Sequence, residues 1–292
     1  MKLIVVWLLY DAHDLSMNQG FVSLMKTNGT PLGFDIQAVC TQDIACVLDQ
    51  KGKAHCLRNG KEEVPDILLS RQRNFRYNAH FEAMGAMVCN GSDVARICND
   101  KWQTYQFLSL PMPTTHYQDK HLPPVPTLSM PCVFKTTDGH GGDSVCEIGS
   151  TTALPIIDKS DGLWQERVAN GGKDLRVYIV FEKIVTAVMR TAQDGLLSNF
   201  KQGGQITSHT LTQAEEDLVQ QVIDTFHGAH APLCFAGVDL LYREDEPIIG
   251  EVEDVVGCRM VYALGELNIV ESFLQALHPA YKHFCIQKKY LS

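Results

Sequence analysis

The stretch GEVEDVVGCRM, Gly250 to Met260, sets Glu251, Glu253 and Asp254 among Val252, Val255 and Val256. It has the pattern of a buried strand end, yet like charges packed in an apolar setting repel and are costly to desolvate. The segment before it, VDLLYREDEPIIGEVE, reads as a hairpin turning at Asp245. With the turn centred there, Asp239 lies six residues before the centre and Glu251 six after, so the two face each other. Glu253 is two residues further on and shares the face of Glu251. Opposed acids are destabilising without a cation. Mg²⁺ (or Mn²⁺), a hard divalent ion bound through one or two carboxylates and substrate phosphates, removes the conflict. A solvated hairpin face is the competing reading. Asp254 points to the opposite face, and Glu244, Asp245 and Glu246 are solvated turn acids.

A second group surrounds KTTDGHGGDSV, which follows an apolar strand and carries Gly139, Gly141 and Gly142. Clustered glycines let backbone N–H groups approach phosphate oxygens. No Gly-Lys-Ser/Thr closes the loop, so it is not a Walker loop. Ser144 stands where a dinucleotide fingerprint needs a third glycine, and no helix pattern follows. A hairpin turn without a ligand fits the glycines equally well. Lys135 tips the balance, because a lysine at the end of a buried strand needs an anionic partner. Arg190 ends IVTAVMR, and SNFKQGG follows with Asn199 and Lys201. An arginine and an asparagine beside a phosphate can neutralise and orient a transferring group. Standing alone, they are ordinary surface positions. His227 and His230 fall at a helix end, where polar and cationic residues are common, and are not expected to bind metal. No G-x-S-x-G and no Cys–His signature supports nucleophilic hydrolysis.

The elements that must position these groups divide the chain. KLIVVWLL is a continuous apolar run typical of a strand buried on both faces. MNQGFVSLMKTNG predicts a helix closed at Asn28-Gly29, and GFDIQAV a second strand. ACVLDQKGKAHCL predicts a hairpin turning at Lys51-Gly52-Lys53. PDILLSR is a third strand, and NAHFEAMGAMVCN a helix running into a fourth. This alternation predicts an open α/β sheet. SDVARICNDKWQTYQFLSL is expected to be one helix with Ser92 as N-cap. The proline-rich PMPTTHYQDKHLPPVPTLSMP is expected to connect.

From Pro131 the pattern becomes strand, glycine loop, strand, then the short strand LWQERV. LRVYIVFEKIVTAVMRTA follows as a hairpin joined at Glu182-Lys183. LTQAEEDLVQQVIDTFHGAH is a helix with a Thr212/Glu215 capping box and an apolar face of Leu218, Val219, Val222, Ile223 and Phe226. ELNIVESFLQALHP is the final helix. Hairpins with helices apart predict α+β for this part. The expected division is 1–95, 96–168 carrying the glycine loop, and 169–292 carrying the acids.

Bulk properties exclude some classes. The 292 residues, 45% hydrophobic and 20% charged, suit a soluble globular chain of two or three domains. A net charge of −9 argues against a nonspecific nucleic-acid or anionic-membrane partner. Ten cysteines form no CxxC pair, so reduced thiols are expected. The N-terminal apolar run is too short to span a bilayer, and Asp11 and Asp14 follow where a signal peptide wants small residues. Together these features lead us to expect a cytoplasmic protein.

The order of the pieces resembles the ATP-grasp superfamily, and within it the RimK-type ligases, which join an amine to a carboxylate. The similarity runs from about Asn99 to Leu277, after an N-terminal domain of the expected size. It implies two lobes clasping ATP. Asn99 to Lys101 resembles the segment whose lysine reaches ATP phosphates, and FKTTDGHGGDSV is similar to K-P-x-x-G-S-x-G-x-G-V, which makes Lys135 the second phosphate lysine. WQERV resembles the adenine hinge, with Glu166 and the Arg167 backbone at the base. GGKDLRV is similar to G-x-D-x-R, which implies Asp174 at the ribose and Arg176 on the substrate side. Arg190, Asn199 and Lys201 stand where family members contact phosphates or the acyl phosphate. GVDLL and EVE imply metal acids Asp239, Glu251 and Glu253.

The departures are Glu253 for the usual asparagine, Thr136 for proline, Ser144 for the third glycine and Leu197 for an arginine before Ser-Asn. DVVGCRM replaces the more usual S-P-G stretch and offers Arg259 as an anchor for a substrate carboxylate. The resemblance implies an ADP-forming carboxylate–amine ligase using ATP and Mg²⁺. Its carboxylate could come from a small molecule, a peptide or a protein tail, its amine from an amino acid, and it could work as a homo-oligomer. The departures also admit a non-catalytic ATP-binding module, or a phosphotransferase that stops before ligation.

Overall fold

The computed structural model describes residues 2–122, 128–139, 145–149, 161–168, 171–192 and 204–291. Its N-terminal sheet is parallel, with strands β1 (Ile4–Tyr10), β2 (Phe34–Cys40), β6 (Ile67–Ser70) and β7 (Met87–Cys89) in the order β2-β1-β6-β7. Alternating residues of β1 enter two cores, as its unbroken apolar run requires. Val6, Leu8 and Tyr10 meet Val22 and Met25 of α2 (Gln19–Gly29) and Phe273, Leu274 and Leu277 of α8 (Ile269–Leu291). Trp7 and Leu9 meet Phe81 of α3 (Phe75–Ala83) and Cys56. Cys56 belongs to a separate three-stranded sheet of β3 (Ile44–Leu48), β4 (Ala54–Arg58) and β5 (Lys61–Glu62). Its hairpin turns at the expected residues, with Gly52 at φ 78°. A short helix α1 (Ala12–Met17), capped by Asp11, precedes α2.

The helix expected over 92–110 is two. Helix α4 (Ser92–Cys98) is capped by Gly91, not Ser92, whose hydroxyl is instead bonded to Glu82. After a break at Asn99, Asp100 caps α5 (Lys101–Leu108) by accepting from the N–H groups of Trp102 and Gln103. That cap makes Asp100 a helix start, which competes with continuing the first helix. Residue 95 lies inside α4. The proline-rich connection contains a strand, β8 (Thr115–Gln118), paired at the edge of a sheet ordered β10-β9-β11-β8. Strands β9 (Cys132–Thr136), β10 (Val145–Ile148) and β11 (Gly162–Glu166) are antiparallel to their neighbours in it.

The third sheet is antiparallel throughout, in the order β14-β13-β12-β15-β16. It comprises β12 (Lys173–Val180), β13 (Lys183–Thr191), β14 (Gln205–Ser208), β15 (Phe235–Arg243) and β16 (Glu246–Glu253). The β12–β13 turn is Phe181-Glu182, both at positive φ. Helix α6 (Gln213–Gly228) forms with its capping box intact, and all five expected apolar residues lie in the core against Leu175, Val177, Val238, Leu240 and Val252. The opposite face of the same strands is therefore free to be polar. A short helix α7 (Arg259–Leu264) precedes α8, which runs through Pro279 to Leu291 instead of ending at the proline. No helix among the described residues is long and apolar enough to cross a membrane.

Candidate active site

The β15–β16 hairpin pairs Asp239 with Glu251 and Gly237 with Glu253. The facing is as expected, but its cause differs. The turn is the two residues Glu244-Asp245, since Arg243 pairs with Glu246, and Leu240 pairs with Ile249. A regular ladder would then put Gly250 opposite Asp239 and turn Glu251 toward the apolar core. A bulge between Asp239 and Leu240 leaves Gly250 as the extra residue and restores the acids to one face. Gly250 is held there by the Tyr105 hydroxyl, which donates to its carbonyl at 2.7 Å. A Cβ at Gly250 would stand 3.1 Å from both the Asp239 carbonyl oxygen and Leu241 Cγ.

Strand register brings the other groups to that face. Arg176 is the partner of Asp239 across β12 and β15, and Arg190 the partner of Asp174 across β12 and β13. Arg176 donates from Nε and a terminal nitrogen to the two Asp239 oxygens, each at 2.6 Å, and lies 2.8 Å from Glu253. Arg190 joins Asp239 at 2.7 Å and also bonds Asp174. Lys101 is buried at the start of α5 and lies 2.8 Å from Glu251. Its Nζ also reaches the Gly139 carbonyl, and its backbone N–H donates to Thr137 at 2.9 Å, so α5 is tied to the strand entering the glycine loop.

The acids are not equivalent. Burial pushes the Asp239 carboxyl up, but Arg176 and Arg190 outweigh it and hold it well below the usual carboxylate range. Burial raises Glu253, and Asp239 and Glu251 add to that rise against Arg176. Asp239 has two guanidinium groups; Glu253 has one ion pair and two acidic neighbours. One oxygen from each of Asp239, Glu251 and Glu253 can lie within 4.8 Å of the others, the only such group of potential metal ligands among the described residues. Three hard oxygen donors and no soft one fit Mg²⁺ or Mn²⁺. Among the described residues the buried Nε of Arg190 has no hydrogen-bond partner, a donor left over for an anion.

Lys135 extends to the Tyr105 hydroxyl at 3.1 Å, and among the described residues no carboxylate pairs with it. Tyr105 was missed in the sequence. Its hydroxyl joins Lys135, Gly250 and Gln165, the last at 3.1 Å, and so ties the loop strand, the bulge and β11 together. The available signal was its position four residues after Lys101 on one helix face. Glu166 ends β11 with its carboxylate accepting from the Thr114 N–H and from Arg243 at 2.6 Å, and Arg167 pairs with Glu147 at 3.0 Å. These two stand apart from the acid–arginine cluster. Arg259 is exposed and donates to the Met17 carbonyl at 3.2 Å. Gly142, Asn199 and Lys201 lie outside the described residues.

Residues 100–277 match the family described as the RimK-like ATP-grasp domain. A probable alpha-L-glutamate ligase of Xanthomonas campestris pv. campestris (strain B100) is 29% identical over 68% of this chain and 72% of its own. Among solved structures, the D-alanine–D-alanine ligase of Bacillus anthracis complexed with ATP superposes with a TM-score of 0.71, at 14% identity over 99% of this chain and 100% of the other. The ATP-grasp ligase PsnB, complexed with a phosphomimetic variant of its minimal precursor, Mg and ADP, gives a TM-score of 0.65 at 15% identity over 97% and 99%.

Proposed function

Since the chain belongs to the RimK-like ATP-grasp family, we propose that it is an ATP-dependent, ADP-forming ligase that joins a carboxylate to an amine, with Asp239, Glu251 and Glu253 as its metal acids. The observation that carries this reading is the meeting of those acids with Lys101, Arg176 and Arg190 on one sheet face beside the glycine-loop strand.

In this reaction a carboxylate oxygen of the acyl substrate attacks the γ-phosphorus of ATP, and the bond to the β–γ bridging oxygen breaks to release ADP. The amine then attacks the acyl-phosphate carbon. Phosphate leaves with the bonding pair, and the amine's extra proton passes to solvent. Little covalent chemistry falls to the protein, which positions the reactants and neutralises charge. Bound Mg²⁺ would supply Lewis-acid neutralisation of phosphate oxygens. Lys135, a cation without a carboxylate partner among the described residues, is oriented by Tyr105 to take a phosphate. Lys101 stands between the glycine loop and Glu251, and so can bridge the phosphates and the metal acids. The spare Nε–H of Arg190 is a donor for the transferring phosphoryl group, with Arg176 on the substrate side. Asp174 takes the ribose, and the ends of β11 at Glu166 and Arg167 take the adenine through backbone groups, since both side chains are engaged. Gly139, Gly142, Asn199 and Lys201 complete the phosphate contacts in this proposal.

The test is ADP release that requires both a carboxylate and an amine and falls at least about 100-fold in Glu251→Ala, of the order expected for losing a transition-state charge contact. ADP formation without an amide product would overturn the ligase reading. Hydroxylamine separates the phosphotransferase alternative, because only an acyl phosphate yields a hydroxamate.

A further inference from the structure

Arg71 carries a buried charge outside this cluster. It follows β6, its backbone N–H bonded to the Leu9 carbonyl at 2.8 Å, and is 6% exposed. A terminal nitrogen donates to the Val256 carbonyl at 2.9 Å, and the guanidinium lies 4.8 Å from the Phe21 ring centre and 5.9 Å from that of Phe235. Among the described residues its buried Nε has no hydrogen-bond partner, and no carboxylate stands within ion-pair distance. Asp14 is engaged by Arg73 at 3.8 Å. Tyr10, the last residue of β1 and 1% exposed, has a buried hydroxyl that lies against the Arg71 guanidinium and has no other partner among the described residues. Burial raises this phenol above its ordinary value against the lowering effect of Arg71, which keeps it an O–H donor.

A buried guanidinium with no anion is costly, and a neutral hydroxyl beside it supplies no counter-charge. Both spare groups are donors, so what they complement is an acceptor, and the charge calls for an anion. A guanidinium fork suits a carboxylate. The position has its own meaning. β1 has β2 on one side and β6 on the other, so the strand order reverses between β1 and β6. Crevices outside the carboxyl ends of strands at such a reversal are where open α/β sheets take ligands. Arg71 is anchored to Val256, three residues after Glu253, and the next residue, Gly257, is exposed.

We propose that Arg71 and Tyr10 form a subsite for a substrate carboxylate that is not the one activated. The substrate role rests on the ligase reading; the subsite itself does not. The full chain is titrated by saturation-transfer NMR and calorimetry, without ATP, with the proteinogenic L-amino acids, a set of short peptides, and the carboxamide of each. At least one acid should bind at least ten-fold more tightly than its amide. Arg71→Gln should bring acid and amide within two-fold of each other, and Tyr10→Phe should weaken the acid at least three-fold. General destabilisation would not remove the discrimination selectively. If Arg71→Gln does not fold, Tyr10→Phe and the acid–amide comparison decide. Binding by neither panel, equal binding of acid and amide by the parent chain, or full affinity in Tyr10→Phe overturns the proposal. An acid that binds through Arg71 yet drives no ADP release would overturn the ligase reading and leave the subsite standing.

Discussion

Asp254 shows how closely two neighbouring acids can differ. Glu253 faces the arginines, while Asp254 points into the body of the protein, where the Asn99 amide donates to it at 3.0 Å. Burial pushes its carboxyl from an ordinary 3.8 to about 7, against Asn99 and Arg71. Between those two values the folded chain holds a proton that the unfolded chain has lost. Stability therefore falls as pH rises through that window and levels off above it. Asp254→Asn removes the loss, and its advantage over the parent should grow with pH to at most about 4 kcal/mol. Urea midpoints from about pH 5 to about pH 8 measure the difference, and a constant gap would contradict the assignment. Sequence pattern alone turned Asp254 away from the face of Glu251 and Glu253, because adjacent strand residues alternate. It could not show Asn99 waiting there, nor Arg176 opposite Asp239, since each is a long-range pairing with no local signal.

At the level of elements, the capping box and apolar stripe of α6 were legible because both are local patterns. The expected helix over 92–110 failed at Asp100, where one side chain caps a new helix. Residues 111–131 hid β8, since an edge strand needs little apolar content to pair. The Gly250 bulge was invisible too, although its result was not. Counting from Asp245 gives the right facing because a turn centred half a residue earlier is compensated by one extra residue. This geometry carries a prediction. Gly250→Val places a branched side chain against the Asp239 carbonyl and Leu241, shifting Asp239 or undoing the bulge. Mg²⁺ affinity, read as the Mg²⁺-dependent rise in thermal midpoint, should fall at least about ten-fold, roughly 1.4 kcal/mol. A variant that folds and binds Mg²⁺ like the parent would remove the bulge from the account of the site.

Across the whole molecule, the carboxyl ends of the N-terminal strands meet the segment that follows Glu253. Asn90, just after β7, donates to the carbonyls of Phe235 and Asp254 and accepts from the N–H groups of Cys234 and Phe235. All four bonds lie between 2.8 and 2.9 Å, and the residue is buried. Asn90→Ala would orphan four backbone groups at the junction, costing about 3 to 5 kcal/mol. Urea denaturation followed by tryptophan fluorescence checks this, and a loss below about 1 kcal/mol would mean that the junction does not depend on it.

The pairing of Asp239, Glu251 and Glu253 with Arg176, Arg190 and Lys101 also has a consequence for ligation order. In the proposed site, with their charge answered from within, the acids would take a divalent ion by exchange, and the displaced guanidinium and ammonium groups would become available to phosphate oxygens. Metal and nucleotide would thereby be thermodynamically linked: each should tighten the other by the same factor. Nucleotide affinity measured across a Mg²⁺ titration, and Mg²⁺ affinity across a nucleotide titration, should close that cycle. Lys101→Ala should shrink the shared factor.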